Sequence, residues 1–151
     1  AIYLAKGQGE LVLRTSDPSI QPYINYNYFK EPEDLRRMRD AVRMCVEVGS
    51  GSSYKNLIDF RLAPSEEILN SDTQLDIWLK ENVRTSHHIS GTCKMGLETD
   101  PTSVVDQYGN VHGTKNLKVA DASIMPDCPR ANTNVPTMMI GEKIADLILN
   151  S

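Results

Sequence analysis

Two of the chain's three histidines and one of its three cysteines fall within one run, Ser86-His87-His88-Ile89-Ser90-Gly91-Thr92-Cys93. An imidazole trades a proton near neutral pH, so the run offers a general base. It equally offers two ordinary loop histidines, one of them buried and hydrogen-bonded. Zinc fits poorly: adjacent side chains on an extended segment point to opposite sides, and neither H-x-x-x-H nor C-x-x-C spacing is present. A Cys93 nucleophile beside His88 would need a lowered thiol pKa, for which the sequence supplies no cause. Gly91 to Gly96 (GTCKMG) is only superficially like a phosphate loop, because G-x-x-x-x-G-K-[ST] is absent.

Two further stretches lie where a ligand could bind. Arg130 to Pro136 (RANTNVP) directly precedes an apolar-periodic run. Read locally, Asn134 is an N-cap and Pro136 the first helical residue. Read functionally, a helix start carries unpaired N–H groups and a partial positive charge, which suit an anion. Leu117 to Ala122 (LKVADA) reads as a strand running into Asp121-Ala122-Ser123, and strand ends in α/β sheets commonly hold cofactors.

The elements that must position these residues follow from periodicity. Glu10 to Arg14 (ELVLR) is a short strand closed by the turn Thr15-Ser16-Asp17-Pro18. Tyr23 to Phe29 (YINYNYF) alternates with period two and reads as a second strand. Glu31-Pro32-Glu33-Asp34 opens a helix with its acids in the first turn, and Leu35, Met38, Val42, Cys45 and Val46 make its apolar stripe as far as Val48. Gly49 to Ser53 ends it as a loop. Pro64 to Glu67 starts a helix of about two turns. Ser71-Asp72-Thr73-Gln74 is a capping box ahead of the face Leu75, Trp78, Leu79, Val83. Beyond Arg84 the chain is irregular, with short strands at Val104 to Asp106 and Leu117 to Ala120; a stretch this long without regular structure is usually functional or disordered. A last helix runs from Pro136 to about Leu149, its face marked by Met139, Ile140, Ile144, Leu147 and Ile148.

Composition bounds the function classes. A length of 151 residues suits one domain, and 40% hydrophobic with 24% charged residues is globular. A net charge of −4 argues against nucleic acid, which wants a basic face. No run reaches the roughly 18 to 20 apolar residues of a membrane span. Ala1 to Gly9 lacks the apolar stretch of a signal peptide. Cys45, Cys93 and Cys128 are odd in number and at no metal spacing, so no disulfide framework is expected, and a reducing, cytoplasmic compartment fits. The chain starts without Met, as a piece of a larger protein would.

In this order the motifs are specific. H-x-x-G-T-C-K-M-G, V-V-D, N-L-K-V-A-D-A-S-I-M-P and N-T-N-V-P-T-M-M-I-G-E-K-I-A-D-L-I together resemble the C-terminal region of the glucose-methanol-choline (GMC) family of flavin oxidoreductases. G-E-L-V-L-R-T-S-D-P, Y-I-N-Y-N-Y-F and E-D-L-x-R-M look like that region's opening. The resemblance implies an α+β fold. Residues 1–83 would supply an antiparallel sheet with packed helices on the substrate side. Residues 84–151 would supply a catalytic loop, then a strand and C-terminal helix that complete a Rossmann-like FAD domain. The family's G-x-G-x-x-G, which binds the ADP part of FAD, is absent, so an N-terminal FAD-binding part of the same protein is the implied partner. The isolated chain would then be an inactive half-core with a large apolar surface.

The resemblance also implies roles. His88 matches the family's catalytic base and His87 a position facing the flavin. Asn132, counted back from Gly141-Glu142-Lys143, matches the second member of the catalytic pair. Asp121 and Ala122 match a segment touching the FAD diphosphate and ribityl chain. Thr133 and Asn134 would offer backbone N–H groups to the flavin's pyrimidine edge. The implied reaction is oxidation of a small alcohol, with His88 removing the hydroxyl proton while hydride leaves for flavin N5. No metal is implied. A non-catalytic accessory module of the same fold, or a hydroxynitrile-lyase-like member, are the alternatives.

Overall fold

The computed structural model describes residues 2–150, so Ala1 and Ser151, the outer ends of the two implied parts, lie outside the described residues. The chain divides into two compact units, one up to Ser86 and one from His87. Among the described residues α and β are segregated along the chain: two strands, then four α-helices.

In the first unit, β1 (Glu10–Val12) and β2 (Tyr23–Asn25) pair antiparallel, with Leu11 opposite Ile24. Both strands are shorter than their sequence patterns. β2 was expected to reach Phe29, but Asn27 and Phe29 take φ of 53° and 61°, and that left-handed backbone ends the ladder. Leu11, Val12, Tyr23 and Ile24 are all exposed, so this two-stranded sheet buries neither face on its own.

α1 (Pro32–Gly49) begins with Pro32 in its first turn. Its one buried residue is an acid, Asp34, at 4% exposure. That carboxylate accepts hydrogen bonds from the Lys6 N–H (2.9 Å) and the Gly7 N–H (2.8 Å), and the helix's positive end supports its charge. Arg37, one turn on, donates to the Leu4 and Tyr3 carbonyls (2.8 and 2.7 Å). The helix therefore grips the incoming chain by its backbone.

α2 (Glu66–Leu69) and α3 (Asp72–Asn82) each start at a capping serine, Ser65 accepting from the Ile68 N–H and Ser71 from the Gln74 N–H. α3 packs on both α1 and α2, burying Leu75 and Leu79 beside Leu69. Arg39 to Asp76 (2.7 Å) and Arg43 to Asp72 (2.6 Å) tie α1 to α3. The rest of the α1 stripe stays open: Met38, Val42, Cys45 and Val46 line, with Trp78, a hollow of about 810 Å³. Phe60, at its lining, and Leu57 and Leu62 stand exposed, Leu62 at 87%.

In the second unit the expected strands at Val104 to Asp106 and Leu117 to Ala120 do not form. Single bridges replace them, joining Met95 to Val105, Val105 to Val111, and Asn110 to Lys118. The chain turns too often for a ladder to extend, with an Asp106 turn between the bridges. α4 (Asn134–Leu149) starts two residues earlier than Pro136, which is its third residue rather than its first. Val105, Ile124 and Ile144 form the core, with Ile140, Leu147 and Val119 packed against it. Met139 and Ile148, expected on the buried face, are 63% and 50% exposed; only the line Ile140, Ile144, Leu147 reaches this core. Among the described residues no helix is long and apolar enough to cross a membrane.

Candidate functional site

The loop carrying the histidines is held against the turn carrying Asp121. The N–H groups of Gly91, Cys93 and Met95 donate to the carbonyls of Ala122, Ser123 and Ile124 in turn (3.2, 2.9 and 2.9 Å). Alternate residues of one segment thus bond successive residues of a 3-10 turn, Ala122–Ile124. Asp121 caps that turn, its Oδ1 accepting from the Ser123 N–H (2.8 Å) and hydroxyl (2.5 Å). Both bonds fall on Oδ1, so Oδ2 keeps its acceptor capacity at an exposed position.

At His87 the chain is not extended. His87 takes φ of 63°, a left-handed conformation tolerated by histidine but costing about 1–3 kcal/mol in general. The alternation expected for two adjacent histidines on a strand therefore does not apply. His87 is exposed, and His88 is half-buried. The His88 carbonyl accepts a weak bond from the Cys128 thiol at 3.9 Å.

His88 meets the start of α4. Its Nδ1 lies 3.1 Å from Thr133 Oγ1 and 3.4 Å from the Thr133 backbone nitrogen. Thr133 is 7% exposed and occupies the N-cap position of α4, a role expected of Asn134. Yet its side chain makes no capping bond to the helix. Thr133 has φ −77° and ψ −8°, helical values rather than the extended ones of an ordinary N-cap. The third helical residue, one of the two whose amide a cap would accept, is Pro136 and has no N–H. The threonine hydroxyl is thereby left for His88. Its carbonyl accepts from the Thr137 N–H (2.9 Å) and hydroxyl (2.6 Å), which anchors the residue to the first turn.

The structure thus brings His88 together with Thr133 and hence with the segment holding Asn132 and Asn134, both exposed. It brings the His88 loop together with Asp121 and Ala122 through the Gly91 amide. The link from the Thr133 hydroxyl to the histidine had no signal in the sequence, because 45 residues separate the two.

This donor and acceptor set can do two things. A half-buried imidazole held at Nδ1 can exchange a proton at Nε2. A helix start without a side-chain cap presents the amides of Asn134 and Val135 to a negatively polarised group.

Comparison with known proteins bears on what the set serves. Residues 5–141 match the family model described as GMC oxidoreductase. The oxygen-dependent choline dehydrogenase of Sinorhizobium medicae is 39% identical over 146 residues, which is 97% of this chain and 26% of that protein. The chain thus spans about a quarter of the length of the curated relatives it matches. Among solved structures, Aspergillus oryzae formate oxidase, described for modification of its FAD, superposes with TM-score 0.86 at 33% identity over 96% of this chain and 25% of its own. Pyridoxine 4-oxidase from Mesorbium loti gives TM-score 0.86 at 27% identity, covering 95% of this chain and 27% of its own.

Proposed function

The chain belongs to the GMC oxidoreductase family, and on that premise we propose that it is the C-terminal part of an FAD-dependent alcohol oxidase or dehydrogenase. In this reading residues 1–83 serve the substrate side, while residues 84–151 carry the catalytic loop and complete a Rossmann-like FAD domain. The observation that carries it is the attachment of His88 to the start of α4 through Thr133, which sets this imidazole beside a helix start whose N-cap side chain makes no capping bond.

The residues fit FAD by their chemistry. The start of α4 has no side-chain cap, so the Asn134 and Val135 amides are free of intrahelical partners and suit the acceptor-rich edge of a flavin. Asp121 and Ala122, on an exposed turn, would hold the ribityl and diphosphate region, and His87 would face the ring. Because the Thr133 amide is directed at His88, Asn134 and Val135 are the amides we assign to the flavin. When bound, FAD supplies the hydride acceptor.

This chain's own residues handle the proton and the charge. His88 Nε2 takes the hydroxyl proton of a small alcohol. The resulting imidazolium and the Asn132 side-chain amide donate to the developing alkoxide, as an oxyanion hole does. The positive end of α4 favours negative charge near its first turn. The upstream part of the same polypeptide covers the hydrophobic residues left open here: the Leu57–Leu62 stretch, and Val135, Met138 and Met139 along α4. Choline is the first alcohol to test, given the choline dehydrogenase relatives.

The test uses the full-length polypeptide. It should purify yellow, and its flavin should bleach when mixed anaerobically with an alcohol substrate. H88A should slow that reduction by roughly 10² to 10⁴, the range for losing a general base. A colourless protein, or reduction at the wild-type rate in H88A, would overturn the reading.

A further inference from the structure

We infer that His87 is a positioning residue for His88 and acts through its backbone: the left-handed turn it takes holds the next imidazole against the start of α4. This deepens the reading of His88 as the base and rests on it.

Two left-handed residues bracket the segment that carries His88. Gly91, at φ 79°, closes it downstream, and His87, at φ 63°, opens it upstream. Gly91 takes that backbone at no steric cost, and a Cβ there would meet the Met125 carbonyl oxygen at 3.3 Å. His87 does carry a Cβ. For such residues the left-handed region is uncommon; Asn, Asp and His are enriched in it, while β-branched residues are outliers. A residue held there persists only when its surroundings over-determine it.

The surroundings hold the two ends of this segment with different strength. Downstream, the Gly91, Cys93 and Met95 amides fasten the loop to Ala122, Ser123 and Ile124. His88 itself is held by its ring, Nδ1 lying 3.1 Å from the Thr133 hydroxyl and 3.4 Å from the Thr133 backbone nitrogen. The Cys128 thiol adds a weak bond to its carbonyl at 3.9 Å. A residue that resists positive φ at position 87 must relax against one of these two sets. Three successive backbone bonds outweigh the contacts to one ring, so the ring gives way first. The added steric cost of a β-branched residue in this region is of the same order as the net worth of one hydrogen bond. That is enough to release the ring without unravelling the loop.

The experiment compares substitutions that all remove the His87 imidazole, in the flavin-loaded full-length protein. Whatever that side chain does for the flavin is lost in every one of them, so the backbone preference separates them. H87G and H87N keep access to the left-handed region, whereas H87V and H87T, one apolar and one polar, resist it. One readout is anaerobic flavin reduction by an alcohol that reduces the wild type, choline being tried first. The other is hydrogen exchange of the Thr133 amide, whose acceptor is the His88 ring. H87V and H87T should reduce the flavin roughly 10²-fold more slowly than H87G and H87N, the cost of a misplacement of about 1 Å. Their Thr133 amide should exchange roughly tenfold faster, as on losing one hydrogen bond. H87A, with a smaller steric penalty, should fall between the two pairs and keeps the comparison readable if the β-branched variants do not fold. Equal exchange in the two pairs would overturn the inference, whatever the rates. Faster exchange in H87V and H87T at the rates of H87G and H87N would uphold the positioning and overturn His88 as the base, so the two claims fail separately.

Discussion

His88 Nδ1 sits 3.1 Å from Thr133 Oγ1, across 45 residues of chain. One side chain belongs to an irregular loop and the other to the first turn of α4, so the contact makes the loop's histidine as well placed as the helix. Backbone bonds from Gly91, Cys93 and Met95 secure the same loop from its other side. The loop is thus held from two separate stretches of sequence, Ala122–Ile124 and Thr133.

Asn132 is the next group to test, because it precedes Thr133 directly. As a neutral donor it can stabilise an alkoxide without itself losing a proton. N132A in the full-length protein should lower the anaerobic rate of flavin reduction by roughly 10² to 10³, the range for one oxyanion donor. N132D should fall further, since a carboxylate repels the same developing charge. Rapid-mixing absorbance of the flavin reads both. A rate in N132D equal to the wild type would remove Asn132 from the site.

Much of the scaffold was legible in the sequence, and the exceptions have physical causes. α1, α3 and α4 announce themselves by stripes at three and four residues, with Pro32 and Ser71 marking two of the starts. The strands were overread. A period-two pattern such as Tyr23 to Phe29 encodes alternation but not how many residues find a partner, and the left-handed backbone at Asn27 ends the pairing. α4 differs: Val135, Met138 and Leu149 make it apolar well beyond one stripe, so the face expected from Met139 to Ile148 coincides only in part with the line Ile140, Ile144, Leu147 that reaches the core. The candidate positions His88, Asn132 and Asp121 come from motif alone, and the motif does not point to the Thr133 hydroxyl. A bond between distant residues leaves no periodic trace, and the local pattern puts the cap at Asn134 rather than at Thr133.

Gly109 tests the turn that carries the second unit's bridges. Its φ is 75°, and a Cβ there would stand 2.6 Å from the Val119 carbonyl oxygen, which is backbone and cannot swing aside. G109A should cost roughly 2–4 kcal/mol, combining left-handed strain with a displaced chain. Gly113 provides the control. It has φ of 70° but nothing within 4 Å of a Cβ, so G113A should cost only the conformational part, about 1–2 kcal/mol. Chemical denaturation of the full-length protein reads the difference, and equal losses would contradict the clash.

Asp34 tests the clamp on the incoming chain. Its two oxygens accept from the amides of Lys6 and Gly7 in a buried setting, and Arg37 lies 3.5 Å away. D34N matches its size but turns an NH₂ group against an N–H donor. The expected loss is about 1–3 kcal/mol, the cost of a buried donor without an acceptor. Limited proteolysis should then open the segment around Lys6 before the rest of the unit. Unchanged cleavage there would show that the clamp contributes nothing to holding the segment.

Asp106 makes stability depend on pH in a defined direction. Partial burial pushes its carboxyl up, but the Asn110 side chain (2.8 Å), the Asn110 N–H (2.9 Å) and the Tyr108 N–H (2.8 Å) together hold it below the usual carboxylate range. A lowered folded-state pKa means that the unfolded chain binds the proton first as the pH drops. The stabilisation is therefore fully present above the ordinary Asp value of about 4 and is lost as pH falls through the lower folded value. D106A removes the acceptor and with it this dependence. The stability difference between wild type and D106A should be level from neutral pH down to about 5, then shrink steadily below about 4. Other acids titrate equally in both proteins and cancel from that difference. Urea midpoints measured in parallel across the range give it directly, and a gap that widened on acidification would reverse the sign assigned to Asp106.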